Sequence, residues 1–132
     1  MRRLYWKIQD ILFDIKMWWQ RKTRGYSDLE IWNLDDFIIN QALPRLKAFR
    51  ENTIGYPSIP GECESLEDWY KILDEMIFGL EFGKDEHDWY KDHVFNASGE
   101  ERDKAQKEFV KLLERAQKGR ELFGKWMMNL WW

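Results

Sequence analysis

Ser65-Leu66-Glu67-Asp68-Trp69-Tyr70-Lys71-Ile72-Leu73-Asp74-Glu75-Met76-Ile77-Phe78-Gly79-Leu80 decides the fold class. Leu66, Trp69, Ile72, Leu73, Met76, Ile77 and Leu80 recur at steps of three and four, the period of an amphipathic helix. Ser65 followed by Asp68 is an N-cap signal, because a hydroxyl can accept one of the N–H groups that a first turn leaves free. The series runs on to Gly83. No strand-like alternation of period two occurs anywhere in the chain.

The same period extends outward from this segment. Towards the N-terminus, Leu4, Ile8, Ile11, Leu12, Ile15, Trp18 and Trp19 predict a helix over about Arg3 to Gln20. Tyr5, Trp6, Phe13 and Met17 make that helix apolar on more than one stripe. Arg21, Lys22, Arg24 and Gly25 close it with cations and a glycine. Ser27-Asp28-Leu29-Glu30 is a capping box, so a short helix is expected through Ile31 and Trp32. Leu34, Phe37, Ile38, Gln41, Ala42, Leu46 and Phe49 form another helical series, with a kink or break expected near Pro44. Residues 53–64, with two prolines and two glycines, are the one clear loop.

The acidic and aromatic segment 84–99 reads as helix over Lys84 to Asn96. Ser98 with Glu101 opens a last, long helix bearing Phe109, Leu112, Leu113, Ala116, Phe123, Trp126, Met127 and Leu130. Gly119 and Gly124 mark weak points or close packing within it. The expected architecture is all-α: an irregular bundle of four to five helices without a β-sheet, in a single domain over 1–132.

The chain has 132 residues, among them nine Trp, five Tyr and eight Phe. Such aromatic content argues against wholesale disorder. A chain of this length buries roughly two-thirds of its unfolded surface, so its core needs no disulfides. The lone Cys63 excludes an intrachain disulfide and a cysteine-based zinc cluster, and suits a reducing compartment. Lys7, Asp10, Asp14 and Lys16 interrupt the first apolar runs, so no signal peptide is expected. No apolar run reaches the 18 or so residues of a spanning helix, and no membrane partner is expected.

The net charge of −3 is unevenly spread. Residues 1–26 carry seven basic and two acidic groups, residues 27–100 six basic and seventeen acidic, and residues 101–132 eight basic and five acidic. An extended nucleic acid would require a strongly basic face overall, so none is expected as a partner. Basic ends around an acidic middle suit pairing within the molecule or between copies.

The sequence carries no glycine-rich phosphate loop, no GxSxG and no HExxH. Cys63 lies between Glu62 and Glu64, whose charge would raise a thiol pKa and weaken a nucleophile. We therefore assign no catalytic residue, metal or cofactor from sequence. Asp85, Asp88 and Asp92, with Glu64, Glu67, Asp74 and Glu75 on another helix, would be needed for a Mg²⁺- or Mn²⁺-dependent nucleotide hydrolase. The simpler account is that these charges cover solvated helix faces.

The strongest candidate site interleaves cations and aromatics: Trp19, Arg21, Lys22, Arg24, Tyr26 and Trp32. Guanidinium groups take phosphates bidentately and aromatic faces stack on bases. A nucleotide-like ligand is the guest this combination suggests. At the other end, Trp131 and Trp132 are candidate interface residues, since two terminal indoles call for burial in the fold or against another copy. Trp6, Trp18, Trp69 and Trp126 fall at or beside core positions of their helices.

Arg24-Gly25-Tyr26-Ser27-Asp28, Trp32-Asn33-Leu34-Asp35, Leu43-Pro44-Arg45-Leu46, Gly55-Tyr56-Pro57, Trp69-Tyr70-Lys71-Ile72-Leu73-Asp74-Glu75-Met76-Ile77 and Glu121-Leu122-Phe123-Gly124-Lys125 form an ordered series over most of residues 20–130. In this series the chain resembles an uncharacterised family of small tailed-bacteriophage proteins. The resemblance implies a viral origin and a place in the host bacterial cytoplasm, and it brings no catalytic residues. A small phage accessory protein acting by binding is then the expected function. It would interfere with host antiviral defence by sequestering a nucleotide-like signal or by blocking a host protein, and it would form a homo-oligomer. The alternatives are the metal-dependent hydrolase and a virion structural or assembly protein.

Overall fold

The computed structural model describes residues 2–131. It contains five α-helices: α1 (Arg2–Arg24), α2 (Asp28–Trp32), α3 (Leu34–Asn52), α4 (Leu66–Tyr90) and α5 (Gly99–Trp126). A π-helical turn (Lys91–Phe95) follows α4 and a 3₁₀ turn (Met127–Asn129) follows α5. There is no strand among the described residues, and the fold is an all-α irregular bundle. The chain divides into two compact units, Met1–Ile38 and Ile39–Trp132.

In the second unit α4 is the central element, as its sequence predicts. The Ser65 hydroxyl accepts the Asp68 N–H at 3.1 Å and caps the first turn. Trp69, Leu73, Met76 and Leu80 are buried with Leu46 of α3, Cys63 of the loop and Trp126 of α5. Trp69 and Trp126 meet edge to face, 5.5 Å between centroids. A second cluster joins Phe82, Val94, Phe109 and Ala116. The π turn carries one residue more per turn than an α-helix would, and its Val94 is fully buried. Segment 84–99 is thus helical as far as Phe95. Trp89 lies there between His93 (4.4 Å) and Phe109 (5.6 Å), stacked on both.

Helices α4 and α5 approach closely where Gly79 faces Gly119. Ion pairs between Arg115 and Glu75 (2.7 Å) and between Arg50 and Asp74 (2.9 Å) flank the helical core. The loop at 53–64 is held by the Tyr70 hydroxyl, which donates to the Thr53 carbonyl at 3.0 Å, and by reciprocal backbone bonds between Ile59 and Cys63.

Two expectations are corrected. Of the kink or break expected near Pro44, the break does not occur: helix α3 runs on through it. The Arg45 guanidinium donates to the Gln41 carbonyl at 2.7 Å, which supplies a side-chain donor in the turn that proline disturbs. Trp6 and Trp18 are exposed, whereas Trp69 and Trp126 are buried. In the first unit α2 packs against α1, and Met17 is buried. Every described side chain of α1 before Met17 is exposed.

Candidate functional site

The site begins where α1 ends. Gly25 adopts φ +85°, a left-handed conformation that costs glycine little, and its N–H closes the helix on the Arg21 carbonyl at 3.1 Å. Ser27 is then extended and buried, and α2 starts at Asp28. Glu30 reaches back to accept the Ser27 N–H at 2.6 Å, the acidic half of the capping box. The Ser27 hydroxyl is buried beside it.

Polar contacts fix α2 against the last turns of α1. The Gln20 amide donates to Asp28 at 2.7 Å and accepts the Asp28 N–H at 2.9 Å. Arg24 pairs with the Asp28 carboxylate, donates to the Tyr26 carbonyl at 3.1 Å, and lies 4.7 Å over the Tyr26 ring. Arg21 donates to Glu30 at 2.7 Å. The bond from Arg24, aided by Gln20, holds the Asp28 carboxyl below its ordinary range. The Ser27 N–H, aided by Arg21, does the same for Glu30. Both guanidinium groups are therefore matched by carboxylates of the same segment.

The structure sorts the six sequence candidates into two sets. Arg21, Arg24 and Tyr26 gather around α2. Trp19 and Lys22 do not join them: at about 100° per residue Trp19 lies roughly 160° around α1 from Arg21, with Lys22 on its own side. Both are exposed, and neither has an ion pair or hydrogen bond from its side chain among the described residues. Trp32, the last residue of α2, is 71% exposed.

Beside the Arg24–Tyr26 pair lies a cavity of about 360 Å³, lined by Gly25, Tyr26, Glu30, Ile31, Leu34 and Phe37. Its walls are apolar apart from Glu30, whose carboxylate is already bonded to Arg21 and to the Ser27 N–H. Leu34 and Phe37 belong to an amphipathic series by spacing and Ile31 only to the short helix before it, and all three are exposed. The sign that could have found Ile31 is the breadth of apolar positions on a helix as short as α2, which cannot bury every side at once.

Elsewhere, Trp131 is 74% exposed at the mouth of a cavity of about 290 Å³ shared with Ile54, Tyr56 and Trp69. Trp132 lies outside the described residues. Of the carboxylates considered for a metal, four are engaged singly: Asp74 with Arg50, Glu75 with Arg115, Glu67 with Lys71, and Glu64 with the Gly61 N–H. Among the described residues, no group of three or more His, Cys, Asp or Glu is placed to hold a metal ion. The Cys63 thiol is pushed up by burial first and by Asp68 second, rather than by the neighbouring Glu62 and Glu64. No helix among the described residues is long and apolar enough to cross a membrane. Comparison with protein-family models, curated proteins and solved structures returns no match.

Proposed function

We propose that this chain acts by binding a protein, as a small phage accessory protein that interferes with host antiviral defence in the bacterial cytoplasm. The observation that carries the reading is the apolar cavity of about 360 Å³ between α2 and the start of α3. A nucleotide-like ligand needs unpaired cations facing its phosphates, and Arg21 and Arg24 face Glu30 and Asp28. An apolar side chain of a protein partner needs only the cavity. Exposed Trp32, next in the chain to Ile31, and Tyr26 are the kind of residue that anchors such interfaces. The phage setting rests on the resemblance given above, and the chain is read as a homo-oligomer.

Native mass spectrometry of the tagged chain purified from bacterial cells tests the reading. The wild type is expected to retain one host protein at fixed stoichiometry. Trp32→Ala and Phe37→Ala are each expected to weaken that complex at least tenfold without loss of helical circular dichroism, the scale of an interface anchor. A retained nucleotide mass that disappears in Arg24→Ala would replace this reading with the sequestering one. Mg²⁺-dependent release of phosphate from nucleotides would favour the hydrolase.

A further inference from the structure

The open side of α1 carries the inference. At about 100° per residue, eight side chains between Leu4 and Trp19 fall within an arc of roughly 140°. They are 48–64% exposed. On the opposite side Gln20 and Arg21 meet α2 and Met17 is buried, while Trp6 and Phe13 stay exposed nearer the start of the helix.

The order of these residues is symmetric about a point between Ile11 and Leu12. Ile8 answers Ile15 across that point. Leu4 and Tyr5 at one end answer Trp19 and Trp18 at the other. A pattern that reads the same from both ends is what an isologous, antiparallel pairing of two identical helices requires.

Charge selects the same arrangement. Lys7 and Asp14 stand on one shoulder of the apolar arc, two turns apart, and neither has an ion pair among the described residues. In an antiparallel pair, like shoulders meet, so Lys7 of each copy comes level with Asp14 of the other to within a turn. Lys16, on the other shoulder, meets the neutral Gln9. A parallel pair would set Lys7 within a turn of the neutral Gln9 and Asp14 within a turn of Lys16, which already pairs with Asp28 at 3.8 Å. The area is also sufficient. Counting about 150–250 Å² for a whole aromatic side chain, the open face amounts to on the order of 1,000 Å² per chain. A stable interface covers about 800 Å² on each partner.

We infer that α1 is a dimerisation helix: two copies of this chain pair antiparallel through the face from Leu4 to Trp19, with reciprocal Lys7–Asp14 ion pairs. The inference rests on reading the chain as a homo-oligomer and supplies its interface.

Sedimentation equilibrium of the full chain provides the test. The expected species is a dimer of the 16.3 kDa chain at micromolar concentration. Lys7→Glu and Asp14→Lys, each alone, should weaken association about tenfold, because each sets like charges opposite one another. The double variant Lys7→Glu/Asp14→Lys should restore it, with circular dichroism unchanged throughout. A monomer at 100 micromolar would overturn both the inference and the homo-oligomer reading. A dimer indifferent to the single exchanges, or a double variant no tighter than either single one, would overturn this interface and leave the oligomer standing. A monomer that binds anionic phospholipid vesicles through Trp18 and Trp19 would assign the face to a lipid surface instead.

Discussion

At Gly119 a single hydrogen atom sets the distance between two helices. A Cβ built there would stand 2.1 Å from the Glu75 carbonyl oxygen and 3.0 Å from the Gly79 Cα, both backbone atoms that cannot rotate away. Gly124, five residues on in the same helix, has nothing within 4 Å of such a Cβ. Sequence reading marks both glycines and cannot tell them apart, because the difference lies in what stands opposite. Gly119→Ala is expected to lower stability by about 1–3 kcal/mol through overpacking. Gly124→Ala should raise it by about 0.5–1 kcal/mol, the ordinary gain of alanine over glycine in a helix. Urea midpoints at constant m-value read both, and equal signs for the two substitutions would refute the contrast.

Pro44 sets the question at the scale of the element. A proline inside a helix removes one hydrogen bond and crowds the preceding turn, so a break is the natural expectation. Helix α3 continues regardless, because Leu46 beyond the proline is buried in the core cluster on which Ala42, Leu43 and Phe49 also pack. Tertiary burial outweighs a local cost of about 3 kcal/mol. Pro44 is exposed and gives up no packing when replaced. Pro44→Ala is therefore expected to stabilise the protein by about 1–2 kcal/mol, once the freer unfolded chain is allowed for. A lower melting temperature would show that the proline is needed where it stands. Helix α1 makes the converse point. Its period is plain in the sequence, but which of its two apolar sides is covered follows from where α2 lands.

Across the whole molecule the carboxylates govern the response to acid. Asp28 and Glu30 in the first unit, and Asp68 and Glu75 in the second, are all held below their ordinary range, Asp68 by Ser65 and Glu75 by Arg115. A group whose pKa is lower in the folded state stabilises that state above its unfolded pKa. The contribution is lost as pH falls through the folded value. Melting temperature is therefore expected to hold between about pH 7 and 5 and to fall steadily below about pH 4, where unfolded carboxyls begin to bind protons. Glu75→Gln should melt lower than wild type at pH 6 and lose less on acidification. Each group is only partly buried and reaches solvent, so each share is small. A wild-type melting temperature that rose on acidification would contradict the sign.

Periodicity and capping chemistry by themselves determined the helix class, the capped starts of α2 and α4 and the loop at 53–64, and they set Trp6 and Trp18 at core spacing as readily as Trp69 and Trp126. These are local signals: a step of three or four, a Ser with an acid three residues on, a run of Pro and Gly. Spacing also assembled the cation–aromatic series from Trp19 to Trp32, because residues near in sequence look near in space. Only the tertiary structure decided that Arg21 and Arg24 turn to the carboxylates of α2 while Trp19 and Lys22 turn away from them. Helical phase separates neighbours by about 100° per residue, and the facing element settles which charge is matched. The same reason divides the tryptophans. An apolar stripe says that a helix has a face to cover, and only the packed chain says which stripes have been covered and which are left for another molecule.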